Sequence, residues 1–391
     1  MTSKERVLTA FSHKEADCVP VGEMHIMSPI ASELLGREAI TGEGGWTMYK
    51  QMELRRDGRR DEYVERLKVD TLETFRAADM DLICTELDPP RDSGITYRDV
   101  TESTWVEVDE ATGHWAKFAY DKDTDTVHEM DSTEKGCEDF SAIEAHLDAL
   151  EKSGCDLDDS CFESTRYVTE KAGNELFVMA KIPNLIPSGR SWYTNFMEMV
   201  FLDPDLTQRL CDLYLRVGMK AAEKYVKAGV DCVMIATDWS YNTGPILPPD
   251  KIREYMIPQV NAIADYCHEH GVLVLKHTDG NIMEIADDFF SMRIDAYQGI
   301  EPNAGMDIAL IKQRYGDKVT LMGNVDCGRV LATGTREEIV EATKACIRAA
   351  AVGGGYILGS NNTIAVPVTA DNFRVMVEAT KKYGVYPISW L

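Results

Sequence analysis

The sequence predicts an α/β protein, a (β/α)8 barrel (TIM barrel) with a β-hairpin insertion after its second strand. Three observations predict it: eight short apolar or β-branched runs that end in polar residues, a helix-like stretch after each, and one break in the rhythm at residues 91–136. Strands that alternate with crossover helices build a parallel sheet covered on both faces, and eight such units favour closure into a barrel. An open doubly wound sheet is the alternative. A chain of 391 residues, 44% hydrophobic and 27% charged, has enough material for one large core. A single domain over 1–391 is expected, with 91–136 inserted in it.

The elements follow in order. Thr2 and Glu5 stand at capping-box spacing, and Val7, Leu8 and Phe11 form a helical stripe that ends before Pro20. Strands are predicted at 19–25, 81–87, 176–183, 230–239, 272–280, 296–302, 319–327 and 356–361. Helices are predicted near 50–79, 138–172, 190–228, 248–270, 281–292, 305–316, 335–351 and 370–383. Pro248 and Pro249 suit a helix start, and Thr335 with Glu338 repeats the capping box. Between 91 and 136 the chain alternates apolar and polar residues, TWVEVD and then HWAKFAY around Gly113, which reads as a hairpin. At the catalytic end of a barrel it would serve as a lid or as decoration; the sequence leaves both open.

Composition excludes several partners. The charge sum, 41 minus 66, is -25, so the molecular field opposes phosphate backbones and anionic lipid. The basic cluster Arg55, Arg56, Arg59 and Arg60 is interleaved with Asp57, Asp61 and Glu62 and reads as a solvated helix face. Ten cysteines occur without a C-x-x-C pair, and Cys84 and Cys232 fall in apolar runs, which points to reduced, buried thiols. No apolar run approaches a membrane span, and the start MTSKERVLTAF lacks a signal-peptide apolar region. A soluble, cytoplasmic protein without nucleic-acid or membrane partners is expected. Its oligomeric state is open, a homodimer being one option.

In a barrel, reacting groups sit at the carboxyl ends of the strands, because side-chain layers fill the interior. Here all eight predicted ends are polar: Glu23 and His25; Glu86 and Asp88; Lys181 and Asn184; Asp238, Tyr241 and Asn242; His277 and Asp279; Glu301 and Asn303; Asn324 and Asp326; Asn361 and Asn362. Singly, such residues cap helices and turns, and that reading suits Asp326 and Asn303. Converging on one opening, they are costly to bury without a ligand, a metal or a hydrogen-bond network. Lys-His-Thr-Asp-Gly at 276–280 directly follows the apolar VLVL, and in extended chain His277 and Asp279 face the same side. They would supply two ligands to a metal, with Glu301 or Glu23 completing the set. The glycines at 353–355 precede a strand, and G-x-G-x-x-G and Walker patterns are absent, so nucleotide cofactors lose support.

The stretches KERVLTAFSHKEADCVPV, LKHTDGN, GIEPNAGMDIALIKQRYGDKVTLMGNVD and GGGYILGSNNTIAVPVTADNF together resemble the uroporphyrinogen decarboxylase-like superfamily, over most of the chain except 91–136. The resemblance implies a single (β/α)8 barrel. It also implies one of two activities, decarboxylation or methyl transfer with corrinoid proteins. A decarboxylase of this family clamps its polyacid substrate with arginines after the first strand, where this chain reads Val-Gly-Glu-Met-His at 21–25. Glu86 stands at the expected aspartate, and Asn362 at the late histidine. Methyltransferases that serve coenzyme M hold zinc with His-x-Cys and a later cysteine; the similar positions are His277, Asp279 and Asn362, so both thiolates are lost.

By resemblance, then, the chain looks like members that move a methyl group from a small substrate, such as a methoxylated aromatic (O-demethylation), to the cobalt of a partner corrinoid protein. His277, tuned by Asp279, would be the acid or the metal-holding group, with zinc as one candidate, and Asp238 and Glu301 would orient it. Glu23, His25, Glu86, Tyr241, Asn324, Asn361 and Asn362 would shape the substrate pocket. The chain has no D-x-H-x-x-G match, so the corrinoid would arrive on a separate protein that covers the barrel mouth. A decarboxylase-like lyase and a catalytically degenerate binding barrel are the alternatives.

Overall fold

The computed structural model describes residues 1–135 and 139–390. Its strands in chain order are β1 (Leu82–Thr85), β2 (Ile95–Arg98), β3 (Thr104–Asp109), β4 (Trp115–Asp121), β5 (Thr126–Ser132), β6 (Phe177–Lys181), β7 (Cys232–Ile235), β8 (Ser240–Tyr241), β9 (Gly244–Pro245), β10 (Leu273–His277), β11 (Ala296–Gln298), β12 (Thr320–Val325) and β13 (Tyr356–Ser360). Seven of the predicted runs form one parallel sheet in the order β1-β6-β7-β10-β11-β12-β13. Both faces are apolar, as crossover topology requires. Leu82, Cys84, Phe177, Met179, Cys232, Met234, Leu275, Ala296, Met322 and Ile357 meet in an inner cluster with Val7 and Ala10 of the first helix. The alternate residues Ile83, Val178, Val233, Val274, Tyr297, Leu321 and Leu358 pack in the outer core with the surrounding helices. The sheet is therefore curled, and the helix Ser3–Phe11 sits at the end where Phe11 stacks on Phe177 at 5.3 Å.

The predicted first strand, 19–25, is not a regular strand. It makes isolated parallel bridges, Val21 with Leu358 and Ile26 with Ile364. Pro20 has no N–H to give, and the Glu23 carboxylate accepts from Ser360 N at 2.7 Å, where a ladder would use a backbone carbonyl. Its backbone still reaches both neighbours: Gly22 N donates to Leu358 O at 2.9 Å, and Asp81 N, just before β1, donates to Val21 O at 2.8 Å.

The predicted hairpin is larger than expected. β2 to β5 form a four-stranded antiparallel meander, with the anticipated β3–β4 turn at Gly113 in its centre. The predicted end of the insertion at 136 and the predicted helix start at 138 lie outside the described residues. Trp105 and Phe118 of the meander pack at 5.7 Å, and Tyr120 stacks on Tyr49 at 5.5 Å, fastening the insertion to the helix Gly45–Arg56.

Both predicted capping boxes form, at Thr2 and Thr335, and the last helix is Ala370–Tyr383 as predicted. Three long predicted helices are broken. The stretch 50–79 divides into Gly45–Arg56 and Arg60–Ala77, with Gly58 between them at a φ of 72° that favours glycine. The stretch 138–172 yields Ser141–Ser153 and Glu163–Ala172, and 190–228 yields Tyr193–Leu202 and Pro204–Ala228, the second begun by its proline. A helix at Ser28–Leu35 was not expected. Arg60 departs from the solvated face predicted for it: it is buried, donating to Pro89 O, Ser160 O and the Glu163 carboxylate at 2.8–2.9 Å. The described cysteines are all free. Among the described residues no helix is long and apolar enough to cross a membrane.

Candidate functional site

Alternation along the strands explains which polar groups gather at the carboxyl ends. The inward positions Cys84, Met179, Met234, Leu275 and Ala296 belong to the inner cluster. Continuing each row in steps of two residues reaches Glu86, Lys181, Asp238, His277 and Gln298. The inner packing thus ends in two polar clusters.

The first is built around His277, the buried last residue of β10. Its Nδ1 pairs with Gln298 Oε1 at the end of β11. The Gln298 NH2 group donates to the carbonyls of Ser360 at 3.3 Å and Asn362 at 3.4 Å. Since those carbonyls can only accept, the amide oxygen must face the imidazole and take the Nδ1–H. The Nε2 lone pair then points at carboxylates, 3.5 Å from Asp238 Oδ1 and 3.8 Å from Asp279 Oδ1. Asp279 Oδ1 is buried and has no hydrogen-bond partner, while Asp279 Oδ2 accepts from Asn362 Nδ2. Asp238, whose side chain is half exposed, accepts from Asp279 N at 3.0 Å, so Asp279 Oδ1 is the buried acceptor that a proton or a cation would satisfy.

Electrostatics agree with this geometry. Burial pushes His277 down to about 4, against the pull of Asp238. Burial, reinforced by Asp238 and Glu301, lifts Asp279 to about 8. The groups are therefore a neutral imidazole and a carboxyl with high affinity for a positive species. An imidazole nitrogen and two carboxylate oxygens, all within 4.8 Å of one another, are a donor set for a divalent cation, and the orphaned Asp279 oxygen fits one. Fully buried Lys276 aligns the neighbouring backbone, its Nζ donating to the carbonyls of Thr237 and His277 and lying 4.9 Å from the Trp239 ring.

The second cluster joins His25, Glu86 and Lys181 to Glu43. His25 Nδ1 is 3.9 Å from Glu43 Oε2, and its Nε2 is 3.8 Å from Glu86 Oε1. Lys181 Nζ bonds Glu43 Oε1 and stands 3.9 Å from Glu86 Oε2. The clusters are linked electrostatically through Lys181, whose charge disfavours protonation of both His25 and His277.

Other predicted residues lie outside the two clusters, with Glu301 near enough to raise Asp279. Glu301 accepts from Asn361 Nδ2 and from Asn303 N at 3.2 Å, and Asn361 Oδ1 accepts from Cys327 N at 2.8 Å, so these residues knit the loops together. Glu23 is fully buried, clasps Ser360 through both oxygens at 2.7 Å, and is raised by burial to about 8. Tyr241 lies on the β8–β9 hairpin and is 55% exposed. Asn324 is a correction: alternation from Met322 places it inward, yet its Oδ1 accepts from Cys346 Sγ at 3.3 Å, on the outer helix Arg336–Ala350. Gly323, at a φ of 125°, breaks the alternation just before it. Asp326 caps its own turn, accepting from Gly328 N and Arg329 N at 2.9 and 3.0 Å, as its capping reading expects.

Two residues escaped the sequence reading. Gln298 lies three positions before Glu301, where the sixth strand's polar end was placed, and counting by twos from Ala296 would have found it. Glu43 sits in a loop with no periodic signal.

A curled parallel sheet wrapped by helices, with polar groups clustered at the strand carboxyl ends, defines an α/β protein. A sequence profile described as uroporphyrinogen decarboxylase (URO-D) matches residues 184–383, and the chain belongs to that family. It is 24% identical over 198 residues to the uroporphyrinogen decarboxylase of Pseudoalteromonas atlantica, covering 49% of this chain and 52% of that one. It is 23% identical over 227 residues to the methylcobamide:CoM methyltransferase MtbA of Methanosarcina acetivorans, covering 56% and 62%. The alignments with curated relatives such as these span about half of those proteins' length. A solved methyltransferase from Methanosarcina mazei superimposes with a TM-score of 0.67 at 18% identity, covering 98% of this chain and 99% of that one, which shows a common fold.

Proposed function

We propose that this protein takes a methyl group from a small methylated substrate, such as a methoxylated aromatic, and passes it to the cobalt of a corrinoid carried by a partner protein. The observation that carries the reading is the fixed His277 tautomer, which aims a bare Nε2 at Asp238 and the unpartnered Asp279 oxygen. A methyl ether is a poor electrophile until its oxygen is protonated or bound to a Lewis acid. A divalent cation such as zinc, held by His277, Asp238 and Asp279, would supply that Lewis acidity. Between the two roles open to His277, its burial favours ligand over acid.

Gln298 holds the tautomer, Asn362 steadies the second Asp279 oxygen, and Glu301 with Asn361 frames the same wall. His25 and Glu86 face the substrate from the opposite wall, and Tyr241 stands at the exposed rim that the corrinoid protein would cover. Neither cluster includes an arginine, so a tetrapyrrole polyacid lacks its counter-charges. We read residues 19–26 as the eighth stave: hydrogen bonds to both edge strands support closure into a (β/α)8 barrel, with 1–391 as one domain and the meander as its insertion.

The test is to mix the protein with a Co(I) corrinoid protein and a panel of methyl donors and to follow methylcobalt in the visible spectrum. Methylation should occur with one donor class and be lost in His277→Ala; full retention in that variant refutes the reading. Carbon dioxide release from a carboxylated substrate would indicate a lyase, and tight ligand binding without turnover a binding barrel.

A further inference from the structure

We propose that His25, Glu43 and Glu86 form a second divalent-cation site, separate from the one around His277; only its use by the substrate rests on the reaction assigned above. The argument begins with how the two carboxylates divide their oxygens. Glu43 Oε1 and Glu86 Oε2 face Lys181, while Glu43 Oε2 and Glu86 Oε1 face the His25 ring. Lys181 thus compensates one side of the pair and leaves the other side open towards an imidazole.

His25 gives the second, independent sign. Its side chain is 6% exposed, and its Nε2 is buried without a hydrogen-bond partner while pointing at Glu86 Oε1 from 3.8 Å. A buried imidazole nitrogen left without a partner is costly. Burial and the neighbouring Glu43 raise Glu86 well above the usual carboxylate range, so without an ion a proton lies between the two carboxyls, and a cation in its place would satisfy the imidazole nitrogen and both oxygens together. The ligand atoms already lie within 4.8 Å of one another. Ligands about 2.1 Å from a common ion stand about 3–3.5 Å apart, so atoms that now lie within 4.8 Å of one another would close by up to about 1.5 Å around an ion on one ring nitrogen. Burial keeps the imidazole neutral, with its pKa pushed down to about 4, as a metal ligand requires.

One imidazole with two carboxylates suits a first-row divalent ion such as Zn2+, Mn2+ or Co2+ over a soft, thiolate-seeking one. A cation here would give an otherwise anionic rim one point of attachment for an anionic oxygen on the substrate. The competing occupant is a proton shared by Glu43 and Glu86, which the ion would displace.

The experiment is a Co2+ titration of metal-free protein at neutral pH, read by visible absorption and by bound-metal analysis after gel filtration. His25→Ala and Glu43→Gln should each bind one equivalent fewer than wild type, and His277→Ala should keep the ion lost in those variants. Glu43→Gln decides the matter if His25→Ala fails to fold, because the Glu43 side chain is 43% exposed; circular dichroism checks both. Wild-type stoichiometry in a folded Glu43→Gln overturns the proposal, as does complete loss of metal in folded His277→Ala. Wild-type stoichiometry in His277→Ala, with the loss confined to the His25 and Glu43 variants, upholds this site and removes the metal from the reading of His277.

Discussion

Replacing Gln298 with methionine tests the tautomer argument directly. The side chain is fully buried and close to methionine in length, so packing changes little. What is lost is the acceptor for His277 Nδ1–H and two long donations, 3.3 and 3.4 Å, to the carbonyls of Ser360 and Asn362. The long bonds contribute little, whereas an unsatisfied buried N–H costs about 1–3 kcal/mol, so Gln298→Met should destabilise by about 2 kcal/mol. The imidazole is also released to swap tautomers, and loss of such an orienting partner weakens metal binding by about 10–100-fold. Urea denaturation of metal-free protein measures the first effect and a Co2+ titration the second. A stability change under about 0.5 kcal/mol together with unchanged Co2+ affinity would show that Gln298 does not hold His277 in the orientation argued above.

Two further outcomes follow from the same structure. His146 is pushed down to about 4 by burial, with Arg190 and His114 adding to the effect, so the folded protein binds fewer protons than the unfolded chain between pH 6.5 and 4. Stability from this group is therefore present above pH 6.5 and is lost as pH falls towards 4, by up to about 3 kcal/mol; His146→Gln should flatten the thermal-melting profile over that range, and an unchanged profile would contradict the assignment. Buried Asp88 accepts from Ser164 N at 2.7 Å and from Ser164 Oγ at 2.5 Å, so Asp88→Ala should cost about 2 kcal/mol in denaturant unfolding while leaving Co2+ stoichiometry at the wild-type value.

Much of the site was legible because an inward row of apolar side chains announces where its polar end must emerge. Met234 leads by twos to Asp238 and Leu275 to His277, and the spacing of His277 and Asp279 puts them on one side. Legibility stopped where backbone phase or long-range contact intervened. Asn324 left the row when Gly323 adopted a positive φ, and Arg60 left the solvated face because Glu163, 103 residues on, captured its guanidinium. The meander around Gly113 was recognised only in its central turn, since β2 and β5 have too little apolar alternation to stand out.

The sequence by itself determined the order of the seven parallel strands and the residue types at their ends, because periodicity and turn chemistry are local properties written along the chain, and its motifs carried the likeness to the family. Only the tertiary structure decided which of those polar groups became neighbours. The pairing of Glu43 with His25, Glu86 and Lys181, and the Gln298 amide that sets the His277 tautomer, join segments far apart in sequence. Their energies depend on burial and on angles between side chains, neither of which exists until the sheet has curled.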